Sequence, residues 1–147
     1  MKTILMLIKK KPLIYAGAGM VIFFFIRSFL RGVRSFFARK RAENFEQENS
    51  VDAVAVRKII NNMAESESGW FNTGFSVRWN AFGHYRELLK LSDDGLKYAA
   101  DYWQYKHANN RPFRGRSLKS QARYGINLST KKRYAPKVVQ RLENLNL

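Results

Sequence analysis

Residues Leu13 to Ile26 read LIYAGAGMVIFFFI, fourteen consecutive positions without a charge. Pro12 and the triplet Lys9, Lys10, Lys11 precede them, and Arg27 follows before Phe29 and Leu30 resume the apolar character. Fourteen helical residues reach about 21 Å, short of the roughly 30 Å hydrocarbon core of a bilayer. Counting from Pro12 to Leu30, with Arg27 snorkelling, extends the length to about 28 Å, and local thinning can meet the remainder. Pro12 suits a first helical turn, where its missing N–H is no loss. A cleaved leader would need small residues after the apolar run, and FFFIRSFLRG is bulky and then basic. A buried core helix would not normally carry basic clusters at both ends. The stretch is therefore expected to be a transmembrane or deeply embedded helix, ahead of a surface helix, a leader or a core helix.

Outward from this run, RSFLRGVRSFFARKR places Phe29, Val33, Phe36 and Phe37 on one helical face, with Leu30 beside them. Arg27, Arg31, Arg34, Arg39, Lys40 and Arg41 surround that face. Aromatic residues flanked by arginine describe a helix at a lipid headgroup layer, and each juxtamembrane cation adds about 1 kcal/mol near an anionic surface. The same pattern fits one continuous helix whose Phe residues pack on a neighbouring chain, and Gly32 allows a bend between the two parts. Basic residues lie on both sides, Lys2 and Lys9 to Lys11 against the six that follow, so charge favours a cytoplasmic C-terminal part only weakly. Ala16 to Gly19 are small enough for a second helix to approach closely, which leaves self-association open.

The chain has 147 residues, and about 100 remain after the anchor, enough for one small domain. It has no cysteine, which excludes a disulfide framework, Cys-ligated metal and thiol catalysis. His84 and His107 are far apart in sequence, and no metal or other cofactor is expected. The net charge of +16 is polarised. Residues 1–41 hold 10 Lys/Arg and no acid, residues 42–104 hold 6 against 10 Asp/Glu, and residues 105–147 hold 11 against Glu143 alone. Such a balance points to polyanionic or acidic partners.

Residues 42–50, AENFEQENS, carry no pattern and read as a linker or frayed helix end. Ser50 or Asp52 can cap a helix over about 51–64, whose stripe is Val51, Val54, Val56, Ile59, Ile60 and Met63. The aromatic segment with Trp70, Phe71, Phe75, Trp79, Phe82 and Tyr85 is expected to supply core, and Gly69, Gly74 and Gly83 argue against one long helix through it. Ser92-Asp93-Asp94 caps the clearest helix, Gly95 to His107. A short helix over 117–124 precedes Gly125, and Pro136 is expected to open a final amphipathic helix. No strand-like alternation or repeat is present. The expected fold class is all-α: a single transmembrane helix continuing into a basic amphipathic helix (1–41), a linker (42–50), a compact helical domain (51–125) and a basic C-terminal segment ending in a helix (126–147).

No Walker loop, GxSxG, HExxH or dinucleotide loop occurs. Glu65 and Glu67, in AESESGWFN just after a helix, resemble the E-S-x-W/F context of the catalytic glutamate in lysozyme-like lytic transglycosylases. That resemblance implies a general acid acting on peptidoglycan; the family's downstream Gly-Leu-Met-Gln type segment is absent. The stronger signal is KHANNRPFRGRSLKSQARYGINLSTKKRYAPK. Here Arg111, Arg114, Arg116, Lys119, Arg123, Lys131, Lys132 and Arg133 interleave with Phe113, Tyr124 and Tyr134. This composition suits contact with a nucleic-acid backbone or an acidic protein face.

LSDDGLKYAADYWQYKHANNRPFRGRSLKSQ, with DAVAVRKIINNM before it, resembles an annexin-like helical repeat. The likeness implies a helical fold; the Gly-x-Gly-Thr calcium loop is missing, so no calcium site follows from it. In organisation the chain is similar to the accessory membrane proteins of membrane-containing bacteriophages, which combine one apolar helix with a compact basic domain and lack enzymatic motifs. This resemblance implies a non-enzymatic structural protein of a virion, its partners a lipid bilayer and a capsid protein or the genome. A membrane-anchored nucleic-acid-binding module of a bacterial inner membrane and a lysozyme-like enzyme are the alternatives.

Overall fold

The computed structural model describes residues 12–73, 83–124 and 131–147, and the side chains among them except 12–18, 51, 69–73, 131 and 132. These residues form six helices and the turns between them, with no strand: α1 Pro12–Glu48, α2 Ser50–Thr73, α3 Gly83–Leu88, α4 Asp93–Lys106, α5 Leu118–Arg123 and α6 Lys131–Asn144. The expected all-α class stands. The chain divides into two compact units, one ending at Arg34 and the other Ser35–Leu147.

In the first unit, α1 passes Gly32 without a break. Among the described residues no helix is long and apolar enough to cross a membrane. The expected transmembrane helix is therefore unsupported here. From Gly19 onward the apolar run meets Arg27, Arg31 and Arg34 before it has reached the length of a bilayer core.

The second unit has its own core. Its start lies within α1, where Ala38, Ala42 and Phe45 share one face; both alanines are buried, and the Phe45 ring stacks on Tyr98 at 4.6 Å. Residues 42–48 thus continue the helix where a linker was expected. An alanine-based stripe can dock a helix closely without a marked hydropathy period. Asn49 alone separates α1 from α2, and Ala53 N–H donates to the Asn49 carbonyl at 2.9 Å. The second helix also runs past its expected end near residue 64, through Gly69 to Thr73. Of the expected aromatic core, Phe75, Trp79 and Phe82 lie outside the described residues, and Tyr85 is fully buried.

Helix α4 begins as its sequence requires. The Ser92 hydroxyl accepts from Gly95 N–H at 3.1 Å, with Asp93 and Asp94 in the first turn and Lys106 in the last. Leu96, Ala99 and Trp103 make its innermost stripe, flanked by Tyr98 and Tyr102. They share one core cluster with Ile60 and Met63 of α2, Leu88 of α3, Phe113, Leu118 of α5, and Val138 and Leu142 of α6; α4 packs on α2 and α5, and α6 packs on α3 and α5. Full burial of such a side chain contributes about 1.5–3 kcal/mol. Helix α6 starts at Lys131, so Pro136 lies inside it and not at its opening. The proline is exposed, where water can take the carbonyl it leaves unpaired. The helix ends in a Schellman arrangement: Asn146 has φ 57°, Leu147 N–H donates to Leu142 O at 3.0 Å, and Asn146 N–H donates to Glu143 O at 3.0 Å.

Candidate functional site

The apolar stretch of α1 is uncovered. Met20, Val21, Ile22, Phe23, Phe24, Phe25, Ile26, Phe29 and Leu30 are each 49–73% exposed. Consecutive exposed positions put apolar surface on every side of the helix, not on one stripe. Arg27, Arg31 and Arg34 follow without an ion-pair partner among the described residues. Lys9, Lys10 and Lys11, also expected at the interface, lie outside the described residues.

The expected interface residues in the second unit divide by role. Phe36 and Phe37 are exposed, and Phe36 and Lys40 lie one turn apart on the side of the helix away from Ala38 and Ala42. Arg39 pairs with Glu43 at 2.7 Å. Arg41 grips Asp101 with two bonds, Nε to Oδ2 at 2.8 Å and Nη2 to Oδ1 at 2.5 Å. That geometry holds the docked end of α1 against α4, an internal task that nothing in the local sequence foretold. Glu46 next to it accepts from Tyr98 Oη at 2.6 Å and from Arg57 at 3.2 Å. An open cleft of about 490 Å³ adjoins these pairs, lined by Asn44, Glu48, Asp94 and Lys97 among others. Its charges are of both signs.

The C-terminal cations also divide. Arg116 lies over the Tyr124 ring at 3.7 Å and donates to Pro112 O and Gln121 Oε1. Arg123 pairs with Glu143. Arg141, outside the expected set, donates to the carbonyls of Leu89 at 3.0 Å and Leu91 at 2.7 Å and pairs with Asp93 at 2.7 Å. It thereby closes the turn after α3. Arg111, Arg114, Lys119 and Arg133 have no ion-pair partner among the described residues, and neither do Lys106 and Lys137, which motif reading passed over. Lys131 and Lys132 open α6. Phe113 is buried against Trp103, centroids 4.7 Å apart, and Tyr134 is half-buried against the core.

The glutamates of AESESGWFN separate. Glu65 is exposed. Glu67 is 4% exposed and accepts from Tyr85 Oη at 2.5 Å and from Gln121 Nε2, joining α2, α3 and α5 through the core. Burial, and then the Glu67 carboxylate, push the Tyr85 phenol well above its ordinary value. The tyrosine stays protonated and donates. Among the described residues no group of three or more His, Cys, Asp or Glu is arranged to hold a metal.

No protein-family model, curated protein or solved structure matches the chain.

Proposed function

We propose that the protein is a membrane-anchored structural protein that presents a basic helical domain to an acidic partner. The observation that carries the anchor is the apolar surface of α1 from Met20 to Leu30, exposed on all sides. A helix that is apolar all round belongs in a protein core or in lipid. Lipid is favoured by Arg27, Arg31 and Arg34, which stand where headgroup phosphates would meet them. The single-pass crossing expected from the sequence is the stronger form of the proposal. It calls on Pro12 to Gly19, also helical in backbone, to bring the apolar length to about 28 Å.

The wider role follows from the division of charge. Most acids of the second unit are spent on internal pairs, whereas unpaired cations remain in its C-terminal third. An anchor at one end of the chain and a basic surface at the other suit a link between a membrane, such as the internal membrane of a virion, and a capsid shell or genome. The peptidoglycan-cleaving alternative gains no such support. A general acid must reach the substrate; Glu67 is enclosed with two donors already on its oxygens, which leaves the exposed Glu65 as the one glutamate of that pair open to solvent.

Flotation of the full chain with phosphatidylcholine vesicles in a density gradient tests the anchor. The protein is expected at the lipid layer and to stay there in high salt and at alkaline pH. Recovery at the bottom of the gradient, as soluble protein, overturns the proposal.

A further inference from the structure

The loop between α4 and α5 is built more firmly than a solvated basic loop requires. Phe113 plugs it into the core beside Trp103, and Trp103 Nε1 donates to Arg116 O at 2.9 Å. Gly115 N–H returns to Ala108 O at 2.6 Å, closing the loop at its base. The reversal uses two successive residues with left-handed backbone, Arg114 at φ 52° and Gly115 at φ 78°. Glycine takes this conformation freely, whereas arginine does so at a cost. The exposed residues of the loop are Asn109, Asn110, Arg111 and Arg114, two guanidinium forks beside two carboxamides.

The described part of this surface favours one kind of partner. Among the described residues from Lys106 to Leu147 the only large exposed apolar group is Tyr124, at 42%, and Arg116 covers one face of its ring. A protein interface usually needs an apolar or aromatic anchor at its centre. A single-stranded nucleic acid needs open rings on which bases stack. A duplex backbone needs neither, only cations and neutral donors held in register.

We propose that the Ala108–Ser117 loop is a preformed contact for the phosphodiester backbone of double-stranded nucleic acid, with Arg111 and Arg114 as its phosphate-binding residues and Lys119 beside them in sequence. This deepens the reading of the basic surface given above and rests on it, but does not depend on the lipid anchor.

The test uses the full chain in neutral detergent micelles and a short fluorescent duplex of mixed sequence, titrated at stepwise rising salt. The variant Arg111→Gln/Arg114→Asn keeps a residue that tolerates the left-handed backbone at position 114. It is expected to bind at least about tenfold more weakly and to lose about two from the slope of log affinity against log salt. Lys58→Gln, which removes a charge from α2, is expected to shift affinity less than about twofold. Circular dichroism confirms that each variant is folded. Unchanged affinity and slope in the double variant overturn the inference. So does a single strand bound more tightly than the duplex, or a polyglutamate bound as tightly as the duplex and equally sensitive to the double variant, which would make an acidic protein the partner. A wild-type chain that floats with vesicles but binds no duplex overturns this inference and leaves the anchor standing; one that binds duplex without floating does the reverse.

Discussion

Glu67 is the residue whose surroundings most changed its meaning. Beside Glu65 in sequence it resembles a catalytic glutamate in an E-S-x-W context. In the fold it is a buried acceptor joining three helices, with Tyr85 and Gln121 as donors. Tyr85→Phe removes one donor from a buried carboxylate and is expected to cost about 1–3 kcal/mol in chemical denaturation of the full chain in detergent. His107 offers a second check. Its ring hydrogen-bonds Asn61 Oδ1 at 2.8 Å; burial, and then Lys106, lower its pKa from the ordinary 6.5. The folded state binds this proton more weakly than the unfolded chain, so stability is complete above 6.5 and is lost as pH falls toward the folded-state value. His107→Gln keeps a donor for Asn61 and is expected to flatten the decline in melting temperature between about pH 7 and pH 5.5. An identical decline in the variant would show that His107 is not its source.

At the scale of elements, α1 is the helix whose two ends obey different rules. Its early part has an apolar run that composition alone exposes. Its late part is held by Ala38, Ala42, Phe45 and Arg41, of which only Phe45 carries a hydropathy signal. Arg41 is 60% exposed but its partner Asp101 only 13%, so the loss falls mainly on a carboxylate with little access to water. Arg41→Met is expected to destabilise the domain by about 1 kcal/mol or somewhat more, after discounting for the exposed arginine. Arg41→Lys should recover only part of this, because an ammonium cannot reproduce the two-bond grip; parallel melting curves for the three forms check the order. Local capping chemistry made α4 legible from Ser92 onward, whereas Pro136 misled, since a proline on an exposed helix face need not mark an end.

For the whole molecule, charge has two destinations. Arg39, Arg41, Arg57, Arg123 and Arg141 are spent on acids of the same chain, and Arg27, Arg31 and Arg34 are not. Replacing those three with Gln is expected to weaken partition onto phosphatidylserine vesicles at least about tenfold, given roughly 1 kcal/mol per cation near such a surface. Partition onto neutral vesicles should hardly change. Equal losses on both would show that the arginines hold the helix itself and not the headgroups.

The sequence by itself determined the helical class, the apolar run from Leu13, the cap at Ser92, and the lopsided charge. Each depends on residues close together in the chain: a hydropathy window, a hydroxyl three residues from an amide, a count along a segment. Only the tertiary structure decided which cations and aromatics remain available. Arg41 meets Asp101 and Arg141 meets Asp93 across long stretches of chain, and Phe113 disappears behind Trp103. Periodicity reports which face of an element is apolar, but the identity of the group that comes to lie opposite is set by how the elements pack.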